Sequence, residues 1–333
     1  MNVAVIGLGL IGGSLLRALA AHGHHVTGYD IGAATRRAAA ALARAAEAPP
    51  VADPDTRPVG IKGGWRVADS IPAAVEGAEV VVLAVPLPAL PQVVAELAGF
   101  DGLVTDVTSV KGPVRKLLGD LRYVGGHPMA GTAESGFLAA DPHLFDGCAW
   151  VLCLEDETEL ADWVRLAGLF TPLGARIVPA TAEDHDEAVA RISHIPHLLA
   201  AALTNLIDGH PLAGALAAGS FRDGTRVAAT RAELIAAMCG GNEAAVRRVL
   251  PGVIEDLTGY ARRLAEPDPV GALTPLLHRA GELRRGWPAA QGVPVSLALD
   301  RSSLLELGRA GGWVTGIAAE ATGMRPETDR KGS

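Results

Sequence analysis

The first half of the chain alternates between short apolar runs and stretches with helical periodicity. Apolar runs of strand length occupy residues 3–7, 25–30, 79–86, 103–107 and 123–126, and a helical pattern covers residues 12–21. A further strand at 149–154, a helix at about 158–170 and a strand at 175–178 complete this region. Strands that alternate with helices predict an α/β fold with a doubly wound parallel sheet.

The pattern changes near Thr181. From there to about residue 280 the chain shows helical periodicity without a convincing strand, and one more strand and helix are predicted at 293–297 and 302–310. We therefore expect a Rossmann domain over residues 1–180 and an all-helical domain over 181–285. A short C-terminal appendix is expected over 286–333. The stretch 48–64, rich in Pro, Gly and Asp, is expected to be a surface loop or insertion.

A glycine-rich sequence lies between the first strand and the first helix. Gly7-Leu8-Gly9-Leu10-Ile11-Gly12 is a GxGxxG pattern, and Asp30 ends the next strand. Such glycines allow a tight turn, a close approach of backbone to a pyrophosphate, and close helix–strand packing. An acid at the position of Asp30 binds the adenosine ribose and repels a 2′-phosphate, so NAD is favoured over NADP. A glycine-rich turn of another α/β protein is the alternative. The expected cofactor contacts are residues 7–12, Asp30, Val85 and Pro86.

Charge and cysteine content narrow the class of protein. The formal net charge of −8 argues against a general binder of nucleic acid or membrane surfaces, since those surfaces need a basic footprint. The three cysteines form no CxxC pair, which favours reduced thiols in a reducing compartment. The apolar residues 1–21 lack a basic start and are broken by glycines, unlike a signal peptide. We expect a cytoplasmic protein with a small-molecule substrate.

Four segments give the chain a specific resemblance. They are TDVTSVKG at 105–112, GGHPMAGT at 125–132, SHIPH at 193–197 and FRDGTR at 221–226. In this order, across roughly residues 1–280, they resemble the prephenate/arogenate dehydrogenase family. The resemblance implies NAD-dependent oxidative decarboxylation of prephenate to 4-hydroxyphenylpyruvate in tyrosine biosynthesis. Hydride leaves ring carbon C4, the ring carboxylate leaves as carbon dioxide, and aromatisation drives the reaction without a metal.

The resemblance also assigns two catalytic residues. His127 matches the histidine that contacts the C4 hydroxyl, a role that suits a neutral imidazole near neutral pH. Its place just after a strand, facing the cofactor crevice, fits independently of the family. Ser109 matches the serine that supports this histidine. A helix N-cap before residues 111–118 is the alternative for Ser109, and both roles could hold.

The expected substrate-binding residues lie mostly in the helical region. Arg226 matches the arginine that binds a substrate carboxylate, a task for a bidentate guanidinium fork. Asp186, Ser193 and His197 have helical spacing that places them on one face, whereas His194 could be a satisfied core histidine. Pro196 should kink this helix. Thr132, at the end of GGHPMAGT, completes the expected set.

The chain departs from some relatives in ways that leave the substrate open. Aliphatic residues such as Ile235 follow Arg226 where some relatives carry an aromatic residue. Directly after Thr132 stands Ala133, with Glu134 one place later than the expected glutamate. Residues 293–310 faintly resemble the start of an ACT regulatory domain, but too little chain follows for a complete one. We expect a vestigial piece and no tyrosine-sensing domain.

The sequence allows three other interpretations of the function to be compared with this one. The substrate could be arogenate or an amino-substituted prephenate, since one scaffold handles all of them. A β-hydroxyacid dehydrogenase would need a lysine in the helical domain, and residues 181–280 contain none. A non-enzymatic NAD sensor would keep the glycines without needing His127, Ser109, His197 and Arg226 together. The helical domain is rich in Ala and Leu, and with the family resemblance this predicts a homodimer through that domain.

Overall fold

The computed structural model describes residues 1–47, 64–131, 134–287 and 292–327. The chain separates into two compact units, which are considered one at a time. The first unit contains residues 1–182 together with 294–325, and the second is centred on residues 183–293. The predicted loop, up to residue 63, lies outside the described residues, as do Thr132 and Ala133.

The strands and helices are numbered in the order in which they occur along the chain. The strands are β1 (Asn2–Ile6), β2 (His25–Tyr29), β3 (Trp65–Val67), β4 (Val80–Leu83), β5 (Leu103–Asp106), β6 (Tyr123–Val124), β7 (Gly126–Pro128), β8 (Ala149–Cys153), β9 (Arg176–Ala180), β10 (Val293–Leu297), β11 (Trp313–Ile317) and β12 (Ala321–Arg325). The helices are α1 (Leu10–Ala21), α2 (Ala33–Glu47), α3 (Ile71–Val75), α4 (Leu90–Ala95), α5 (Gly112–Leu118), α6 (Leu160–Phe170), α7 (Ala182–Val189), α8 (Ile195–Thr204), α9 (Pro211–Leu216), α10 (Gly219–Thr225), α11 (Ala232–Gly241), α12 (Glu243–Leu264), α13 (Pro269–Arg285) and α14 (Arg301–Arg309).

The first sheet has the predicted doubly wound topology. Its strand order is β3-β2-β1-β4-β5-β6, and all its paired strands run parallel. Every residue of β4 is buried, because helices cover both faces of such a sheet. The order reverses between β1 and β4, which opens a crevice at the carboxyl ends of these strands. The predicted fold class is confirmed.

A second six-stranded sheet completes the first unit, with the order β10-β12-β11-β9-β8-β7. It is mixed, since β8 and β9 run parallel while β7 and β11 lie antiparallel to their neighbours. Its core stacks Trp150 on Phe170, with 4.1 Å between the ring centroids. The sequence predicted β8 and β9 as a continuation of one parallel sheet and did not predict β11 or β12.

The C-terminal segment is part of this second sheet and not a separate appendix. Strand β11 pairs with β9, and Leu304 of α14 and Val314 of β11 lie fully buried in the main core of the first unit. Gly308 of α14 packs against the backbone of Pro179 so closely that a side chain there would overlap its carbonyl group. The pairing joins residues far apart in sequence, which local periodicity does not reveal.

The second unit is helical throughout its described residues, from α7 to α13. A π-helical turn over Ala190–His194 joins α7 to α8, and Pro196 follows in the first turn of α8. Its buried core cluster is small: Ala190, Ile195, Ala245 and Val246. None of the described helices is long and apolar enough to cross a bilayer.

Candidate active site

The glycine-rich turn lies at the carboxyl end of β1, beside the end of β4. Gly7 has φ of +98°, and a Cβ there would lie 2.5 Å from the carbonyl oxygen of Ala84. A side chain on Gly12 would overlap the carbonyl oxygen of Gly7, whereas a Cβ on Gly9 would meet open space. Helix α1 begins at Leu10 without a side-chain cap. Its first turn therefore presents a helix N-terminus to an anionic group at the turn.

Asp30 connects β2 to this turn. One carboxylate oxygen accepts a hydrogen bond from the backbone N–H of Leu8 at 2.8 Å, and the other accepts one from Gly32 at 2.7 Å. The acid thus holds the turn in place. A carboxylate has about four acceptor positions, so it can still accept hydrogen bonds from a ribose. Val85 is half-buried and Pro86 exposed at the end of β4, both in the same crevice region of the sheet.

His127 lies on β7, just beyond the carboxyl end of β6. Strand β6 runs parallel to β5, so His127 and the glycine-rich turn lie at the same edge of the first sheet. His127 pairs with Val151 of β8 and is partly exposed. The arrangement places an imidazole at the edge of the sheet where α/β proteins bind their ligands.

A buried polar network lies beneath this histidine, and the local sequence pattern does not predict it. Lys111 and Asp106 form an ion pair that is almost completely enclosed, with side-chain exposures of 1% and 0%. Tyr123 donates a hydrogen bond to Asp106 at 2.6 Å, and the Lys111 ammonium donates one to the carbonyl of Gly126 at 2.6 Å. The available signal was two charged residues in TDVTSVKG, directly after a buried strand.

Ser109 lies in a bend between β5 and α5 and is partly buried. Helix α5 begins at Gly112, with Lys111 at the N-cap position and no side-chain cap hydrogen bond. The alternative interpretation of Ser109 as the helix cap is therefore not what the structure shows. Since β5 and β6 are neighbours, Ser109 and His127 both follow the carboxyl ends of adjacent strands.

The candidates of the second unit lie around the π-helical turn. The His197 ring, through Nδ1, donates to the carbonyl of Ser193 at 2.8 Å, and the Ser193 hydroxyl faces the sulfur of Met238 at 3.8 Å. Asp186 is buried and contacts Nδ1 of His185 at 2.8 Å. The π-helical turn lies between Asp186 and His197. The uniform α-helical spacing used to place them on one face therefore does not apply across that turn.

His194 is fully buried, next to a residue that the sequence analysis missed. The Asn242 amide nitrogen donates to the carbonyl of Asp186 at 2.7 Å and lies 3.1 Å from Nδ1 of His194. With the amide so oriented, Nδ1 accepts and Nε2 carries the proton. Nε2 has no hydrogen-bond partner among the described residues. Burial lowers the pKa of His194 to about 4, so the ring is neutral near neutral pH.

Arg226 starts a short 3-10 turn after α10 and is exposed. Its side chain makes no hydrogen bond or ion pair with another described residue. An exposed guanidinium without such partners can bind the carboxylate of a ligand. Of the expected site residues, the structure thus groups 7–12, Asp30, Val85, Pro86, Ser109 and His127 in the first unit, and Asp186, Ser193, His197 and Arg226 in the second.

Comparison with family models matches both units. Residues 57–179 match the nucleotide-binding domain of prephenate dehydrogenase, and residues 181–269 match its dimerization domain. Residues 2–109 also match a model described as NADP oxidoreductase, coenzyme F420-dependent. The match over residues 2–109 includes the glycine-rich turn, whereas the match to the nucleotide-binding domain begins only at residue 57.

Relatives agree with this assignment. The cyclohexadienyl dehydrogenase of Zymomonas mobilis is 33% identical, over 80% of this chain and 89% of that protein. The prephenate dehydrogenase of Lactococcus lactis is 36% identical over 45% of each chain, so this match spans less than half of that relative. The crystal structure of Synechocystis arogenate dehydrogenase is 29% identical with a TM-score of 0.71, covering 86% of this chain and 100% of that one. The chain therefore belongs to the prephenate dehydrogenase family of oxidoreductases.

Proposed function

We propose that the chain is an NAD-dependent prephenate dehydrogenase that forms 4-hydroxyphenylpyruvate by oxidative decarboxylation. The observation that carries this proposal is the position of His127. It lies at the edge of the first sheet that also carries the glycine-rich turn, with its neighbouring residue Gly126 held by a buried ion pair. A base beside a nucleotide crevice is what removal of hydride from an alcohol-bearing carbon requires.

The glycine-rich turn fits a dinucleotide. Gly9 leaves open space where a Cβ would stand, and α1 presents an uncapped N-terminus there. Asp30 holds the turn and retains acceptor capacity for the ribose hydroxyls. NAD accepts the hydride when bound. The carboxylate of Asp30 disfavours a 2′-phosphate by charge repulsion, which supports NAD over NADP.

His127 accepts the proton of the C4 hydroxyl as hydride departs from C4. A neutral imidazole suits this task because its ordinary pKa lies near physiological pH. Ser109, at the end of the adjacent strand, supports the histidine. The ring carboxylate leaves as carbon dioxide, and the electrons of its C–C bond enter the ring. The C4 oxygen, a carbonyl after hydride loss, becomes a phenolate and takes the proton back from His127, which gives the aromatic phenol.

The second unit supplies the binding groups for the substrate. Arg226 is exposed and makes no side-chain ion pair with a described residue, so its guanidinium fork is free to hold a substrate carboxylate. His197 uses Nδ1 on the Ser193 carbonyl, which leaves Nε2 of a neutral ring as an acceptor. Asp186 and Ser193 are the unit's remaining proposed substrate contacts, and Thr132, which lies outside the described residues, is a further proposed contact.

The protein acts as a homodimer joined through the second unit. Large apolar side chains are exposed on several of its helices, among them Leu206, Leu212, Leu216, Leu264, Val270 and Leu283. Exposed apolar surface of this extent marks an interaction site, and closed two-fold dimers are the commonest homo-oligomers. Light scattering should show a dimer, and a monomer alone at micromolar concentration contradicts this assembly.

Arogenate is the second candidate substrate, because the structurally similar protein from Synechocystis is described as an arogenate dehydrogenase. Prephenate carries a keto group on its side chain where arogenate carries an amino group. The deciding assay follows NADH absorbance with prephenate and with arogenate, and measures carbon dioxide release in parallel. We expect equimolar NADH and carbon dioxide with prephenate and a lower kcat/KM with arogenate.

Two outcomes of this assay contradict the proposal. A higher kcat/KM with arogenate assigns the chain to arogenate instead. Binding of NAD without turnover of either substrate supports a non-enzymatic sensor. The variant His127→Asn provides the control, since it should keep NAD binding and lose NADH formation.

A further inference from the structure

We propose that the buried Lys111–Asp106 ion pair is a positioning device for His127, acting through the backbone of Gly126. The inference rests on the proposed catalytic role of His127. It adds two residues whose contribution is to geometry and not to direct contact with substrate.

The pair holds both polar backbone groups of Gly126. The ammonium of Lys111 donates to the Gly126 carbonyl at 2.6 Å, and the Gly126 N–H donates to Asp106 Oδ1 at 3.2 Å. A Cβ on Gly126 would lie 2.6 Å from the carbonyl oxygen of Asp106, so the two backbones are in close contact. The residue directly before His127 is therefore fixed from two directions.

The hydrogen bonds of Gly126 with Lys111 and Asp106 replace those of a neighbouring strand. Strand β7 spans three residues, Gly126–Pro128, and forms the edge of the second sheet with β8 on one side. Short edge strands are weakly held, since one row of their backbone groups has no ladder partner. On the side away from β8, the Lys111–Asp106 pair binds the backbone of β7 in place of a strand.

The charged groups of Lys111 and Asp106 form several hydrogen bonds each, which restrict their movement. The acceptors of the Lys111 ammonium include Asp106 Oδ2, the Gly126 carbonyl, and Thr108 Oγ1 at 3.2 Å. Asp106 also accepts from Tyr123 at 2.6 Å and from the Thr108 N–H at 2.9 Å. A fully satisfied buried network is rigid, and it specifies one arrangement.

Stability alone does not explain such a pair. Burying two charges carries a large desolvation cost, and apolar residues of similar volume often serve stability as well or better. Both side chains are enclosed, so their contacts are made within the protein. What the pair does supply is a fixed position for β7, and a displacement of about 1 Å at a catalytic group can cost about 10²-fold in rate.

The test compares a charge-balanced double variant with the parent enzyme. In Lys111→Met/Asp106→Asn no buried charge remains uncompensated, while the Gly126 carbonyl loses its donor. We expect kcat for prephenate to fall about 10²-fold, with KM and NAD affinity changed less than about threefold. The imidazole NMR resonances of His127 should shift as well, because its strand is no longer held.

The matched control is another ion pair of the same unit. Arg122 donates to the buried Asp162 through Nε at 2.6 Å, and its side chain makes no hydrogen bond or ion pair with β7. The variant Arg122→Met/Asp162→Asn also removes both charges, and it should leave kcat and the His127 resonances unchanged. Tyr123→Phe removes one hydrogen bond to Asp106 and should reduce kcat a few-fold, which tests the network even if the double variant does not fold.

The outcomes separate this inference from the proposed function. Near-normal kcat in the folded double variant, or in Tyr123→Phe if that variant alone folds, overturns the positioning role. A similar loss in the Arg122/Asp162 control also overturns it, because any ion pair would then have the same effect. If His127→Asn itself retains normal turnover, the proposed function fails instead.

Discussion

The polar side chains singled out in the two units differ in their hydrogen-bond partners. In the first unit, Asp106 and Lys111 are enclosed and bonded to each other, to Tyr123 and to the backbone before His127. In the second unit, Arg226 is exposed without a described partner, and Nε2 of the buried His194 has no acceptor among the described residues. Asp106 and Lys111 are thus held in position, whereas the guanidinium of Arg226 is accessible to a ligand.

The two units also differ in how far their apolar residues are buried. The first unit contains two large buried clusters that cover the faces of its sheets. The second has a core cluster of four buried apolar residues and many exposed ones on its helices. We infer a division of labour in which the first unit fixes the reacting geometry, and the second binds substrate and a second copy of the chain.

The largest effect should come from the group held most firmly. Replacement His127→Asn should lower kcat by about 10²- to 10⁴-fold, the range for loss of a general base, with little change in KM for prephenate. Steady-state kinetics measure the effect, and calorimetry with NAD serves as the control for cofactor binding. A near-normal kcat would show that His127 is a structural residue of its strand.

The exposed arginine of the second unit should affect binding instead. Arg226→Ala should raise KM for prephenate by about 30- to 10³-fold, equivalent to roughly 2–4 kcal/mol for a lost charged contact, with a smaller change in kcat. Arg222, also exposed on the preceding helix, provides the matched control as Arg222→Ala. Equal losses in the two variants would indicate general electrostatics and not a carboxylate site.

The buried histidine of the second unit should make that unit sensitive to acid. The pKa of His194 is about 4 in the folded protein and 6.5 ordinarily, so the unfolded chain binds the proton first as pH falls. Stability is therefore greatest above about pH 6.5 and decreases toward pH 4, by roughly 3 kcal/mol. Hydrogen exchange of the α8 and α12 amides across this range measures the loss.

His194→Gln is the control for that experiment, because glutamine does not titrate. Its protection factors, which are corrected for the intrinsic pH dependence of exchange, should vary less between pH 7 and 4 than those of the parent protein. An unchanged pH dependence in His194→Gln would assign the acid sensitivity to other groups.

The smallest effect concerns cofactor choice in the first unit. Asp30→Asn/Ile31→Arg removes a negative charge and adds a positive one at a side chain that is 82% exposed. We expect the ratio of kcat/KM for NADP to that for NAD to rise about 30-fold, since each of the two changed charges contributes a solvent-exposed interaction of about 1 kcal/mol. Ile31→Arg alone should give a smaller rise. Equal use of both cofactors by the parent enzyme contradicts the role of Asp30.

The sequence determined the features that depend on neighbouring residues. The buried runs of β1, β2, β4 and β5 and the glycine-rich turn are visible locally, because strand burial and turn geometry are set within a few residues. The change to helices after residue 180 is visible for the same reason. Four short segments sufficed to identify the family, since each has an unusual combination of residues at fixed spacing.

Only the tertiary structure decided which distant segments meet. Local periodicity shows that a strand is buried but not which strand lies beside it, so the pairing of β11 with β9 was not predictable. The same holds for the hydrogen bonds that join Lys111 to Gly126 and Asn242 to Asp186. Side chains meet in this way when the packing of whole elements brings them together, and the free energy of that packing is distributed over the entire fold.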